Sequence, residues 1–239
     1  MRQTGQSMAR KDGNLTESVY RTLRSELVLC RIAPGSRVKT SDLAKRYGVS
    51  LASIREAMAR LTAEDLVCYE PQRGFVAAPI SAQRLQDLTQ VRVEIETMAL
   101  RQSLVQFTAL DLIRLDEAME AMLGTAQDDG AGNHVLTEAW IAAHAAFHDA
   151  LVAGCHNTVL LQVRRQLFDQ SERYRALAAQ VYLVKKTSDI ARDHAPMAEA
   201  VRRGETERAV DLLRLHVTET TDSLLRSRID GRELVPRRA

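Results

Sequence analysis

The chain has 239 residues, too many for one small core and suited to two modest domains. Hydrophobic residues make up 45% and charged residues 27%, an ordinary soluble mixture, while aromatics at 4% argue against a β-sandwich or barrel and for helices rich in Ala and Leu. The formal net charge is only +2, but Lys and Arg outnumber Asp and Glu over residues 1–74 and the remainder is slightly acidic, so only the first third is expected to meet a polyanion.

Residues 1–13 are polar and lack the apolar core of a secretory signal, which reads as a disordered lead-in. From about Thr16 to Arg31, Val19, Leu23, Leu27 and Cys30 recur at helical spacing. Pro34-Gly35 marks a turn. Ser41 is placed to cap a short helix, SDLAKRYG, stopped by Gly48. Ser50 is placed to cap a third, LASIREAMARLTAEDLV, with Ile54, Met58 and Leu61 on its apolar face. The β-prone runs LVCYEP and GFVAAPI flank the turn PQRG and predict a small hairpin. A short helix, a Gly-containing turn, a capped second helix and a hairpin make a winged helix-turn-helix, the arrangement that reads DNA, over residues 14–79.

After Pro79 the pattern is almost entirely helical. Ser81 can cap AQRLQDLTQVRVEIETMALRQSL, and DLIRLDEAMEAMLGT is a second helix. The loop AQDDGAGN leads to the helix AWIAAHAAFHDAL, which breaks at GCHN. A long helix from about Thr158 to Tyr182, the connector VKKTSD and two helices on either side of RRGE complete residues 81–228, and the tail 229–239 reads as frayed. The expected fold class is therefore mainly α: an N-terminal winged helix-turn-helix followed by an antiparallel all-helical bundle. No stretch approaches the roughly 20 apolar residues of a membrane span. Cys30, Cys68 and Cys155 form neither a CxxC pair nor a disulfide framework, which fits a reducing cytoplasm.

Four histidines stand out. His144 and His148 lie one turn apart and share a face with Trp140, Ile141, Leu151 and Val152. His194 is in phase with Met197, Ala198 and Val201, and His216 with Ala209, Leu212 and Leu213, so all four are expected to point into the bundle. One inward histidine is usually a satisfied core residue. Four on three helices would each carry the cost of an unpaired buried polar group, which a shared cation relieves. Neutral imidazoles suit a divalent transition metal, Zn most of all, with Ni or Cu as alternatives. Arg92 is in phase with Leu85, Leu88, Ile95 and Ala99, so it too faces inward and needs an anion. That anion is either an internal carboxylate such as Glu96 or a small carboxylate effector bound between Arg92 and the metal, with Asn157 lining the same cavity. His134 and His156 read as surface or capping residues.

The chain also resembles a known family. SVYRTLRSELVLCRIAPGSRV, DLAKRYGVSLASIREAMARL and PQRGFV are similar to the winged-helix domain of GntR transcription regulators. QVRVEIE, AAFHDALVAGCHN, DHAPMAEAVRRGE and AVDLLRLHV resemble segments of the FCD effector domain of the FadR-like branch. The likeness spans about residues 14–228. It implies a ligand-responsive transcription regulator acting as a homodimer on a palindromic double-stranded operator. It also implies DNA contacts from Arg55, Arg73 and Gly74, with Ser50 and Ser53 on phosphates. Family members often carry Arg where this chain has Ser41 and Leu51, so the usual operator sequence is not implied. Metal-binding members carry Asp where this chain has His144, which removes an anionic ligand and shifts preference away from Mg²⁺ and Ca²⁺. Two competing functions are a sensor in which the ion itself is the signal, and a metalloenzyme. Against the enzyme, no carboxylate adjoins the histidines in an HExxH-like arrangement.

Overall fold

The computed structural model describes residues 4–128, 136–179, 187–226, 228–229 and 232–233. It divides between Ile80 and Ser81 into two compact units.

In the first unit, α1 (Thr4–Val28) lays Val19, Leu23 and Leu27 onto Ile54, Ala57, Met58 and Leu61 of α3 (Leu51–Ala63). The sequence predicts α1 from about Thr16 with a disordered lead-in before it, whereas the helix begins at Thr4. An established helix propagates by gaining one bond per residue fixed, so Gln6, Met8, Ala9, Arg10 and Lys11 extend it through the poor formers Asp12 and Gly13. Cys30 adopts a left-handed backbone (φ 53) just after α1, which closes the helix before the expected Arg31. α2 (Thr40–Tyr47) starts one residue early, so Ser41 lies inside the first turn and does not cap; the N-cap is Lys39, without a side-chain bond. Gly48 ends α2 at φ 64, a conformation that a Cβ disfavours, and sends its N–H back to the carbonyls of Ala44 and Lys45. Ser50 caps α3 as expected, accepting from the Ser53 N–H at 3.1 Å.

β1 (Val67–Glu70) and β2 (Gly74–Ala77) form the antiparallel hairpin, with Glu70 opposite Gly74. The stretch 35–38 adds to the other side of β2: Val38 donates to Phe75 O at 2.8 Å and Ala77 to Ser36 O at 2.9 Å. The sequence shows only the Pro34-Gly35 turn there, because pairing with a distant strand leaves no local signature.

The second unit comprises α4 (Ala82–Val105), α5 (Ala109–Gly124), α6 (Glu138–Leu151), α7 (Thr158–Ala179), α8 (Thr187–Arg202) and α9 (Thr206–Arg226). α4 packs on α7 and α9, α5 on α6 and α8, and α8 on α9. Caps set the starts: Ser81 for α4, Thr108 with Asp111 in a capping box for α5, and Thr137 for α6. Leu100, Leu115, Met122, Phe147, Leu151, Met197, Ala198 and Leu213 fill the core. Gly154 turns the chain out of α6 where α4 comes close. A Cβ there would lie 2.4 Å from the Ser103 carbonyl oxygen, and the Gly154 N–H donates to Ser103 Oγ at 3.0 Å. The tail, expected to be frayed, takes part in a two-residue antiparallel pair, β3 (Arg228–Ile229) with β4 (Arg232–Glu233). Most of the predicted loop AQDDGAGN, all of His134 and the first half of VKKTSD lie outside the described residues.

Candidate metal centre and nucleic-acid interface

α3 presents its opening turn to solvent. Ser50 and Arg55 are exposed, and the Ser50 and Ser53 hydroxyls lie 2.9 Å apart. Arg55 makes no ion pair among the described residues, which leaves its guanidinium available to a polyanion. Arg73 is held differently. Its Nη1 donates to Glu70 Oε2 at 2.9 Å and its Nη2 to the Gly35 carbonyl at 3.0 Å, so it braces the wing against the turn after α1. Gly74 beside it has φ 76.

In the second unit, α6 contributes His144 and His148, α8 His194 and α9 His216, and one nitrogen from each lies within 4.8 Å of the other three. The first three rings are buried and His216 is partly so. The Nε2 atoms of His144 and His148 are 3.2 Å apart. Two nitrogens on a tetrahedral ion at 2.0–2.1 Å would lie about 3.3 Å apart, so this pair is already spaced for a shared ion. His194 Nδ1 donates to the Ile190 carbonyl at 2.8 Å, which makes Nε2 its ligand-capable nitrogen. Trp140 stacks on His144 with ring centroids 5.0 Å apart, Phe147 meets His194 at 5.3 Å and Phe168 meets His148 at 5.4 Å. Burial first, then the Arg175 guanidinium and the neighbouring histidines, hold His144 well below the ordinary imidazole range. Burial and His144 do the same to His148. These rings are neutral at physiological pH, the form a metal needs.

Two residues of α7 complete the surroundings. Arg175 Nη1 donates to His144 Nε2 at 2.7 Å. That lone pair serves either the guanidinium or an ion, so Arg175 has to yield before His144 binds through Nε2. Buried Glu172 places Oε2 3.8 Å from His144 Nδ1 and Oε1 3.3 Å from Arg175 Nε. Its carboxyl group lies one layer behind the His144 imidazole.

Arg92 lies on the same interior, 4% exposed, with its guanidinium 4.8 Å from the Phe168 ring centroid. The internal pair with Glu96 is present, Nε to Oε1 at 3.2 Å. Arg164 takes the other oxygen of that carboxylate at 2.6 Å and also donates to the His148 carbonyl and to Asp149. One buried carboxylate is thus shared by two guanidiniums. Arg92 Nη2 is buried with no hydrogen-bond partner, and burial pulls this guanidinium down from its ordinary range. Arg92 therefore keeps an unsatisfied buried donor on the interior that also holds His144 and His148.

Comparison with known proteins agrees with both halves. Residues 15–76 match the model for bacterial regulatory proteins of the gntR family, and residues 87–219 match the FCD domain. The chain belongs to the GntR family and carries an FCD domain. This GntR regulator is 32% identical over 200 residues to the HTH-type transcriptional repressor GlaR of Escherichia coli (strain K12), covering 83% of the chain and 90% of GlaR. It is 31% identical over 213 residues to the HTH-type transcriptional regulator BphR of Paraburkholderia xenovorans (strain LB400), covering 89% of the chain and 86% of BphR. Among solved structures, McbR of E. coli superposes with a TM-score of 0.72 at 21% identity, over 87% of this chain and 96% of McbR, which shows the shared fold. No helix among the described residues is long and apolar enough to cross a membrane.

One expected site residue does not join the others. Asn157 is exposed and caps α7, its Oδ1 accepting from the Leu160 N–H at 3.0 Å, so it does not line the histidine cavity. A side chain bent back onto its own helix start is committed there. His156 is exposed, as expected. Arg164, Phe168, Glu172 and Arg175 match no motif in the sequence. A signal for them exists: they fall at successive spacings of 4, 4 and 3, one stripe of α7. Charged residues sharing an inward stripe with a phenylalanine indicate a buried polar network.

Proposed function

We propose that this GntR regulator binds its operator as a homodimer and answers to a small carboxylate held between Arg92 and a divalent transition metal on His144, His148, His194 and His216. The observation that carries this reading is the convergence of four histidine nitrogens on an interior that also holds a buried guanidinium with an unsatisfied donor. When bound, such an ion supplies an electrophilic centre that accepts a carboxylate oxygen in addition to imidazole. Arg92 Nη2 offers the opposing donor, and Phe168 and Trp140 keep water from competing. The donor set is nitrogen only, which supports Zn or Ni over the oxygen-seeking Mg²⁺ and Ca²⁺. Dimerisation is supported by Val91, Met98 and Val105, an exposed apolar stripe at seven-residue spacing along α4 that suits a second copy of the chain.

The test is calorimetry with a panel of sugar acids, hydroxy acids and dicarboxylates on the wild type and Arg92→Ala, each with and without chelator, alongside elemental analysis. About one transition metal per chain is expected, lost in His148→Ala and His216→Ala. Arg92→Ala should weaken acid binding and leave metal content unchanged. An effector that binds the chelated protein equally well, or that carries no charge, contradicts this reading. The second reading, in which the ion is the signal, rests on Arg175, whose bond to His144 must break as the ion enters. It is favoured if metal alone changes DNA affinity.

A further inference from the structure

Leu51 opens α3 and is 45% exposed. Single exposed leucines are ordinary on protein surfaces. This one occupies the first position of a helix whose N-terminal residues, in helix-turn-helix proteins, meet base edges in the major groove. Its neighbours restrict what the position can read. The Ser50 Oγ accepts from the Ser53 N–H and lies 2.9 Å from the Ser53 Oγ, so both hydroxyls are engaged in the cap. Ala52 is exposed, small and apolar, and Arg55 comes one turn later. At its first two positions the helix therefore offers an isobutyl group and a methyl group, and the two serine hydroxyls beside them are bonded to each other.

In the major groove guanine shows two acceptors, cytosine a donor, adenine an acceptor and a donor, and thymine an acceptor and a C5-methyl group. Against the first three, Leu51 would strip water from polar atoms and return nothing. Against thymine it meets the one apolar group the groove presents. We propose that Leu51 is a specificity-determining residue that contacts the 5-methyl group of one thymine for each recognition helix bound. The inference rests on the unit being DNA-binding and not on the metal or the effector.

The experiment is selection of bound duplexes from a random library by the full-length protein, followed by single replacement of each selected thymine with deoxyuridine. Uracil differs from thymine only by lacking the methyl group. One position per recognition helix should weaken binding about four-fold when the methyl is removed, the factor expected for one buried methyl-sized group. Leu51→Ala should bind the thymine and uracil sites equally at that position. Leu51→Arg, which adds donors at the same place, should shift the selected base towards guanine. Indifference of the wild type to uracil throughout the site overturns the proposal, as does methyl discrimination that survives in Leu51→Ala. If Leu51→Ala does not fold, the uracil scan on the wild-type chain decides by itself. Failure to select any sequence overturns the DNA-binding assignment instead, so the two failures are distinguishable.

Discussion

Glu172 is buried in the core of the second unit, its Oε2 3.8 Å from His144 Nδ1 and its Oε1 3.3 Å from Arg175 Nε. A carboxylate behind a ligand imidazole orients it and raises its basicity, and its loss typically lowers metal affinity 10–100-fold, a range that applies here as about one to two orders of magnitude. Glu172→Gln should show that loss in competition titration with a chromophoric chelator, with the helical circular dichroism unchanged; undiminished affinity would reduce Glu172 to a partner for Arg175. The histidines make a second prediction. His144 and His148 are held well below the usual imidazole value of 6.5, by burial before any charged neighbour. In the unfolded chain they take up protons near that ordinary value, and in the folded chain only at lower pH. The stability that depends on neutral rings is therefore complete above about pH 6.5 and is lost as pH falls below it. Chelator-treated protein should melt at progressively lower temperature from pH 7 to pH 5, and His148→Ala should flatten that slope. A melting temperature constant across this range contradicts the burial of neutral rings.

The α6–α7 corner shows how one missing Cβ supports a helix contact. Gly154 lies against the Ser103 backbone, and Gly154→Ala would place a methyl group 2.4 Å from a carbonyl oxygen. Forcing α4 and the corner apart should destabilise the second unit by about 1–3 kcal/mol, the usual range for overpacking. Urea unfolding checks this, and an unchanged midpoint would mean the corner is compliant. The same corner shows what could be read in advance. GCHN marks a break from its residue types alone, yet Ser103, its partner, is 51 residues away and carries no hint of the approach. Helix periods and the Ser50, Ser81 and Gly48 boundaries were legible because propensity and capping are local. So were the inward phases of the histidines and Arg92. The pairing of residues 35–38 with β2, the Glu96 carboxylate shared by Arg92 and Arg164, and the diversion of Asn157 into a cap depend on which elements meet, and spacing within one helix does not state that.

At the scale of the whole molecule, the winged helix and the FCD domain make a regulator whose first 74 residues carry more Lys and Arg than Asp and Glu. Arg55→Ala should lower operator affinity by about 1–3 kcal/mol if the guanidinium reads a base. Binding should also fall steeply with salt, because each phosphate neutralised by Lys or Arg releases counterions. Fluorescence anisotropy at several ionic strengths measures both, and Arg55→Ala binding at wild-type strength would contradict the placement of α3. A dimer should protect two half-sites about 34 Å apart, or a multiple of that, in footprinting. The histidine cluster draws on helices that are far apart in the chain. Its members lie at 144, 148, 194 and 216, so an ion held by all four joins α6, α8 and α9 across chain separations of 46 and 22 residues. That makes the ion a reversible cross-link, and at a free concentration 100 times its dissociation constant it would stabilise the native state by about 2.7 kcal/mol. Where opening and closing are fast relative to cleavage, digestion follows the open population. Metal supply would then set how long the regulator survives in a protease-containing cell, and removing the ion would lower its abundance as well as alter its response.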